Sequence, residues 1–362
     1  MISNQILQNT IDGMKNIARV DFSVLDSEGK EVATTMTEHV SFRNEAAEFA
    51  KSPADSQEIK GCQYFKIYDD NLVEYILVAS GTGEDAYLVG KMAAFQIQNL
   101  AIAYKERFDK DNFIKNLLLD NLLLIDIYSR AKKLHIETDV PRVVMILQCD
   151  NSKDINVLET VRSYLNINNM DFATAVDEKD IIIVKDLSEG DTVKDIEKSA
   201  KVLQKNLSKE GLKNIHLAYG TVVHEIKETS RSYKEAKMAM DVGRIFFDDR
   251  NLIAYEQLGI GRLIYQLPLP LCKMFIKEIF GDKTPENLDE ETLTTINKFF
   301  ENSLNVSETS RQLFIHRNTL VYRLDKLQKS TGLDLRIFDD AITFHIALMV
   351  TKYMKFMENF EF

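Results

Sequence analysis

The period of hydrophobic positions changes several times along the chain, and each change marks an element. Ile2, Ile6, Met14 and Ile17 fall along one predicted helix, after which Val20, Phe22 and Val24 alternate into Asp26-Ser27-Glu28-Gly29, a hairpin signal. A short helix is predicted from Phe42 to Ala50, stopped by Ser52-Pro53, and strands over Cys62–Tyr68 and Leu72–Ser80 flank Asp69-Asp70-Asn71. From Glu84 to Ile136 there is no proline and Gly90 is the sole breaker, so one long helix follows, in one or two segments. Leu88, Met92, Phe95, Asn99 and Ile102 step by four and three, as do Phe113, Leu117, Asp120, Leu124, Ile127, Ala131 and Leu134. That is the seam spacing of a coiled coil, and equally that of a helix buried against its own domain. The two seams are out of phase, which places a break near Asp109 to Asn112.

Pro141 opens a unit in which strands and helices alternate. Strands are predicted over Val143–Leu147, Phe172–Val176, Ile181–Val184, His216–Val223 and Leu252–Tyr255, and helices over Ile155–Leu165, Val193–Leu207 and Ser230–Phe247. Gly259-Ile260-Gly261 and the Pro268/Pro270 pair mark its exit. A helix from Leu271 to Phe280 and a polar link from Gly281 to Pro285 come next. Leu293, Ile296, Phe300 and Leu304 then stripe one helix, and Ile342, Ile346, Met349 and Tyr353 stripe a closing one that begins near Asp339.

Between them, Asn305 to Leu335 reads as a helix-turn-helix. Asn305 is placed to cap a short helix with Glu308 at its third position, and that helix ends near Leu313. Phe314, Ile315 and His316 form the turn. Arg317 to Lys329 form a second helix, closed by Gly332. Leu320, Leu324 and Leu327 are its core stripe, whereas Thr319, Tyr322, Arg323 and Lys326 lie on a displaced one. Arg311, Arg317, Arg323, Lys326, Lys329 and Arg336 outnumber Glu308, Asp325 and Asp334 across this stretch, in a chain whose formal net charge is -11. A local basic surface on an acidic protein is the footprint of phosphate binding. Arg317, Asn318, Thr319, Tyr322 and Arg323 are the candidate base readers, and Lys326 and Lys329 the candidate phosphate contacts.

The run L-F-I-H-R-N-T-L-x-Y-R-L at Leu313 to Leu324, followed by T-G-L-D-L at Thr331 to Leu335, resembles the C-terminal module of the carbohydrate-diacid and purine-catabolism regulator family, the CdaR/PucR type. It also follows the spacing of the Fis-like helix-turn-helix. Phe314 departs from that pattern, standing where many such proteins place glycine. The segment AYGTVV at Ala218 to Val223, with Ser230 to Arg244, resembles the GGDEF-like domain that precedes this module in the same family. Where an active diguanylate cyclase carries Gly-Gly-Asp/Glu-Glu-Phe, this chain has Val176-Asp177-Glu178-Lys179-Asp180. Both glycines are missing, so close approach to a nucleotide phosphate is lost. Asp177, Glu178 and Asp180 then read as a solvated turn, with Lys179 inside the acidic group.

The N-terminal order of helix, hairpin, helix, hairpin resembles the antiparallel-sheet sensors of the PAS and GAF type. In the diacid regulators this position holds the ligand-recognition domain, which makes Arg43, Lys66, Tyr68, Ser80 and Thr82 candidate contacts for a small anionic effector.

Composition narrows the picture further. At 362 residues, with 45% hydrophobic and 28% charged residues, the chain is of ordinary globular composition and long enough for two or three domains. Cys62, Cys149 and Cys272 include no C-x-x-C pair, and His39, His135, His216, His224, His316 and His345 have no metal-ligand spacing. No catalytic or metal-binding residue and no cofactor is predicted. The start lacks the features of a signal peptide, and Leu117 to Ile125, interrupted by Asp120, is too short to span a membrane.

These signals predict an α+β multidomain, cytoplasmic protein. Residues 1–83 form a PAS/GAF-like ligand-sensing domain, 84–138 a long connecting and dimerisation helix, 139–268 a degenerate GGDEF-like α/β domain, and 269–362 an all-α helix-turn-helix domain. The expected role is a ligand-responsive transcriptional regulator. Its expected partners are double-stranded DNA, a small-molecule effector and a second copy of itself, with no membrane. The competing reading is a nucleotide cyclase, or a nucleotide-binding switch enzyme, with an accessory DNA-binding tail.

Overall fold

A computed structural model describes residues 2–37, 41–69, 71–150, 155–165, 171–177, 179–281 and 289–358. The chain divides into two compact units, Met1–Ile114 and Lys115–Phe362. The link residues from Asp282 to Pro285, and Asp70 in the predicted turn, lie outside the described residues.

In the first unit, α1 (Asn4–Ala18), β1 (Phe22–Asp26), β2 (Glu31–Thr34), α2 (Arg43–Lys51), β3 (Ser56–Ile59), β4 (Cys62–Asp69), β5 (Leu72–Ser80) and the long α3 (Glu84–Leu118) follow in order. The strands make one antiparallel sheet, ordered β2-β1-β5-β4-β3. Strand alternation sends neighbouring residues to opposite faces. Phe22, Val24, Phe65, Ile67, Tyr75, Leu77 and Ala79 pack with α1 and α3 on one face, whereas Leu25, Tyr64, Ile76 and Val78 pack with α2 on the other. The first helix buries Leu7 and Ile11; of the predicted stripe, Ile2 is buried just before the helix, Ile6 and Met14 pack partly buried against the same core, and Ile17 is 87% exposed. Strand β3 was not legible as a strand, because Ser56-Gln57-Glu58 is a polar edge without alternation.

Helix α3 lies close to the sheet because small residues face it. Ala93, Ala94, Ile97 and Ala101 are buried there. A Cβ built on Gly90 would come within 2.4 Å of the Phe65 ring and 3.1 Å of Ala79. The opposite stripe, Leu88, Met92, Phe95, Asn99 and Ile102, is exposed, the four apolar members by 51 to 72%. The helix runs past Asp109 to Asn112 without the expected break. It stops instead at Asp120, whose φ is +57°, with Asn121 N–H bonded to the Asn116 carbonyl and Asp120 N–H to that of Leu117. Helix ends often close in this left-handed way, and Asp and Asn tolerate it better than bulkier residues. After the stop, α4 (Leu124–Lys133) begins. In the second predicted seam Phe113, Leu117, Ile127 and Ala131 are buried within the chain, whereas Asp120 is exposed at the helix stop and Leu124 is 55% exposed, so the seven do not form one continuous seam.

The rest of the second unit starts with β6 (Arg142–Asp150), α5 (Val157–Tyr164), β7 (Phe172–Ala175), β8 (Ile181–Asp186), α6 (Val193–Lys209), β9 (Lys213–Tyr219), α7 (Thr229–Phe246) and β10 (Leu252–Ala254). The sheet order is β10-β9-β6-β8-β7, with β10 parallel to β9 and the other pairs antiparallel. Buried Arg142 staples β6 to β8 through Asp186, with Nε donating to Oδ1 at 2.7 Å. Gly220 explains the AYG motif: a Cβ there would meet the Ser232 carbonyl oxygen at 2.1 Å, and the Ser232 hydroxyl donates to the Thr221 carbonyl while accepting from Val144 N–H.

The chain ends in α8 (Gly261–Tyr265), α9 (Leu269–Phe280), α10 (Glu290–Glu301), α11 (Val306–Gln312), α12 (Arg317–Thr331) and α13 (Phe338–Glu358). Their core joins Cys272, Ile276, Ile296, Phe299, Leu320, Leu324, Leu327 and Phe344. The closing helix buries Phe344, Ala347, Val350 and Tyr353, whereas Ile342 is 42% exposed; the predicted stripe lies at the edge of the buried one.

Gly90→Ala isolates the close approach of α3. Helix propensity favours alanine by about 1 kcal/mol. Overpacking against Phe65 is expected to outweigh this and lower stability by roughly 1–3 kcal/mol, read as a fall in the urea midpoint of the full chain. An unchanged or raised midpoint would mean that the Phe65 ring yields freely.

Candidate nucleic-acid interface and ligand cleft

The geometry of the C-terminal helices follows from their caps. Asn305 accepts hydrogen bonds from Ser307 and Glu308 N–H at 3.0 and 3.1 Å, starting α11 as predicted. Phe314 holds φ at +55°, the left-handed conformation in which a side chain costs about 1 kcal/mol or more relative to glycine. Its ring is 95% exposed, so no packing offsets that strain. His316 is more than a turn residue. Its Nδ1 accepts from Asn318 N–H at 3.2 Å and caps α12.

Along α12, Leu320, Leu324 and Leu327 are buried, and Gly332 ends the helix at φ +83°. Arg317, Asn318, Thr319, Tyr322, Lys326 and Lys329 are exposed. Arg323 behaves differently. Its guanidinium donates to Thr295 Oγ1 at 2.9 Å and pairs with Glu291, both on α10, and it is only partly exposed. Arg323 therefore ties the second helix to the one beneath it in this structure. Asn318, Thr319, Tyr322, Lys326 and Lys329 share the side of the helix away from the leucines, and Arg317 is exposed at its first position.

In the α/β domain the β7–β8 turn departs from its reading as a solvated acidic loop. Asp177 Oδ1 accepts from Lys179 and Asp180 N–H at 2.9 and 2.6 Å, and Glu178 lies outside the described residues. Asp180 is 1% exposed. Its carboxylate accepts from Gln148 Nε2, at the end of β6, and pairs with the ammonium of Lys237 on α7. Lys179 is exposed. The cation that neutralises this turn thus comes from α7: Lys237 takes one Asp180 oxygen and Gln148 the other, so both are already engaged. Among the described residues no group of three or more His, Cys, Asp or Glu is arranged to hold a metal ion.

The ligand candidates of the N-terminal unit scatter. Lys66 gives its ammonium to the Ser52 carbonyl and lies 5.1 Å from the Phe49 ring centroid. The Tyr68 hydroxyl donates to Asp55 at 2.7 Å, which raises its pKa to about 12. Arg43 and Thr82 are exposed, whereas Ser80 lines a cleft that includes neither of them among its described wall residues. That cleft, of about 480 Å³, lies between α2 and the sheet, and Asp21, Glu45, Lys60, Cys62 and Tyr64 share its wall.

Residues 292–350 match the PucR C-terminal helix-turn-helix domain, and residues 122–242 match the GGDEF-like domain. The carbohydrate diacid regulator of Escherichia coli is 24% identical over 289 residues, 74% of this chain and 72% of that protein. The purine catabolism regulatory protein of Bacillus subtilis is 22% identical over 41% of this chain and 28% of its own length. The proline-responsive transcriptional activator PutR of the same organism is 24% identical over 54% of this chain and 49% of its own length. The chain thus carries a PucR-type helix-turn-helix domain and a GGDEF-like domain, and is distantly homologous to the carbohydrate diacid and purine catabolism regulators. Among solved structures, a regulator of polyketide synthase expression from Bifidobacterium adolescentis aligns with a TM-score of 0.35 at 15% identity, over 67% of this chain and 91% of that one.

The PucR-type module and the mixed α+β architecture were both legible in the sequence. The roles of His316, Gln148 and Lys237 were not. His316 directly preceding the helix was a capping signal left unused, whereas Gln148 and Lys237 are 32 and 57 residues from Asp180 and gave no local cue. Among the described residues, no helix is long and apolar enough to cross a membrane.

Lys237→Met tests the internal cation. With Asp180 left charged and buried, stability is expected to fall by roughly 3 kcal/mol, and adding Asp180→Asn should recover most of it. Equal loss in the single and double variants, measured by urea unfolding, would show that the lysine stem rather than its charge matters.

Proposed function

We propose that this chain is a ligand-responsive, dimeric transcriptional regulator, and that α12 enters the major groove to read the operators of genes for uptake or catabolism of a small metabolite. The observation carrying the DNA part is the division of α12 into a buried leucine face and an exposed face bearing Asn318, Thr319, Tyr322, Lys326 and Lys329, with Arg317 exposed at the first position of the helix. Arginine can bond guanine through two parallel hydrogen bonds and asparagine can do so with adenine, each worth about 1–3 kcal/mol of discrimination. The first turn of a recognition helix is where such readers stand. Arg323, held by Glu291 and Thr295, acts on this reading by fixing the helix unless DNA draws it away.

The enzymatic alternative has two features against it. The turn lacks the glycines of a cyclase, and Lys237 already neutralises Asp180. The relatives with a named function are regulators, which supports the same conclusion.

Operator fragments selected from genomic DNA provide the test. Arg317→Ala with Asn318→Ala should weaken operator binding by at least tenfold more than binding to random duplex. Lys326→Ala should weaken both alike and lower the salt slope by about one unit. Unchanged operator affinity in the folded double variant would remove α12 as the reader.

The dimer reading rests on the exposed stripe of α3. Leu88, Met92, Phe95 and Ile102 repeat at seam spacing on the face that the sheet leaves bare. A two-fold dimer would read half-sites about 34 Å or a multiple apart. Met92→Glu with Phe95→Glu should convert the chain to a monomer in sedimentation with unchanged circular dichroism. A persistent dimer would place the interface elsewhere.

A further inference from the structure

We infer that helix α6 of the α/β domain is a second DNA-contacting surface, a ridge of lysines that binds phosphate backbone outside the stretch α12 reads; this rests on the DNA-binding reading above. Lys194, Lys198, Lys201, Lys205 and Lys209 follow one another along α6 at steps of four, three, four and four. At 100° per residue they fall within a sector of about 80°, and at 1.5 Å per residue they extend over about 22 Å. All five are exposed, and no ammonium among them has an ion pair or hydrogen bond to another described residue. The opposite side of the helix, Ile196, Ala200, Leu203 and Leu207, packs on the sheet.

Repulsion separates this ridge from an ordinary solvated face. Exposed helix faces gain from acids and bases set four residues apart, whereas like charges at that spacing oppose the helix. Here four like-charged neighbours follow in succession, in a chain whose formal net charge is -11. The acids of the same helix are engaged elsewhere: Asp195 closes the capping box with Thr192, and Glu197 accepts from the Tyr219 hydroxyl at 3.4 Å. A polyanion relieves the repulsion. One strand of a duplex presents a phosphate about every 3.4 Å of axis, so about six lie along the length of the ridge. Lysine meets phosphate as a point charge without fixed geometry, and the ridge therefore adds affinity rather than sequence choice. A membrane surface fits less well, because an interfacial helix inserts an apolar face and that of α6 is buried against the sheet. Helix α6 covers the sheet face of Met145 and Leu217, whereas α7 covers the other, where Ser232 meets Val144 N–H, and Phe344 of α13 shares a core with Ile245 of α7. The ridge thus meets a different stretch of backbone from α12.

The test titrates the full chain with long random duplex, and with operator fragments carrying long flanks or trimmed to the half-sites, at several salt concentrations. In the combined variant Lys194→Gln, Lys198→Gln, Lys201→Gln, Lys205→Gln, the salt slope on long duplex should flatten by about three units and affinity should fall at least tenfold. Trimmed fragments should bind as they do to the wild type. A control that removes the same charge away from α6, Lys30→Gln, Lys51→Gln, Lys132→Gln, Lys133→Gln, should leave the slope unchanged. The proposal is overturned by an unchanged slope in a ridge variant with wild-type circular dichroism, or by an equal change in the control. It is also overturned if the ridge variant keeps its DNA affinity and loses only binding to phosphatidylserine vesicles. Random duplex needs no base reader, so a failure of α12 in the Arg317→Ala, Asn318→Ala variant would leave this slope difference standing, and the two readings are judged separately.

Discussion

A stripe of three leucines, Leu320, Leu324 and Leu327, is the constraint on which the C-terminal module depends. Each buried leucine contributes about 1.5–3 kcal/mol, and together they press α12 onto Ile296, Phe299 and Phe344. Fixing that face fixes the opposite one. Asn318, Tyr322, Lys326 and Lys329 then point outward without any ordering of their own, and the caps at Asn305 and His316 set where the two helices start. Strain is confined to Phe314, in the turn, where an exposed ring accompanies a left-handed backbone. The turn tolerates it because the leucines, not the turn, hold the helices together.

The α/β domain shows the same economy of charge. A carboxylate buried to the extent of Asp180 is costly unless it is paired and hydrogen-bonded. Lys237 and Gln148 meet that requirement from two different elements, and in doing so join β6, the β7–β8 turn and α7. The group that would make such a turn reactive is here committed to holding the domain together.

Legibility in the sequence followed the range of the interaction. Element types and order were readable because periodicity, caps and glycines act over a few residues: α12, the alternation from β6 to β10 and the antiparallel N-terminal strands all emerged that way. The end of α3 was misplaced because apolar phase carries no information about backbone dihedrals, whereas Asp120-Asn121 marked the left-handed stop directly. Site residues were harder. Asp21 meets Ser80 across 59 residues and Arg323 meets Glu291 across 32, so neither the cleft nor the tether could be seen in a local window. Lys66 and Tyr68 looked available from their residue types, yet each is engaged by its neighbours in the fold.

Strand alternation gives the N-terminal unit a further property. Tyr64 on β4 faces the cleft, and Phe65, the next residue, faces α3 and fills the space left by Gly90. Ser80 closes the cleft from the end of β5, while Ala79 lies against the same stretch of α3. A rigid, hydrogen-bonded sheet cannot shift one face without the other. The cleft and the exposed stripe of Met92 and Phe95 are thus joined through single peptide units of β4 and β5 and the body of one helix. The glycine and alanines along α3 keep that connection tight, since a larger residue at position 90 would separate the helix from the two strands that line the cleft.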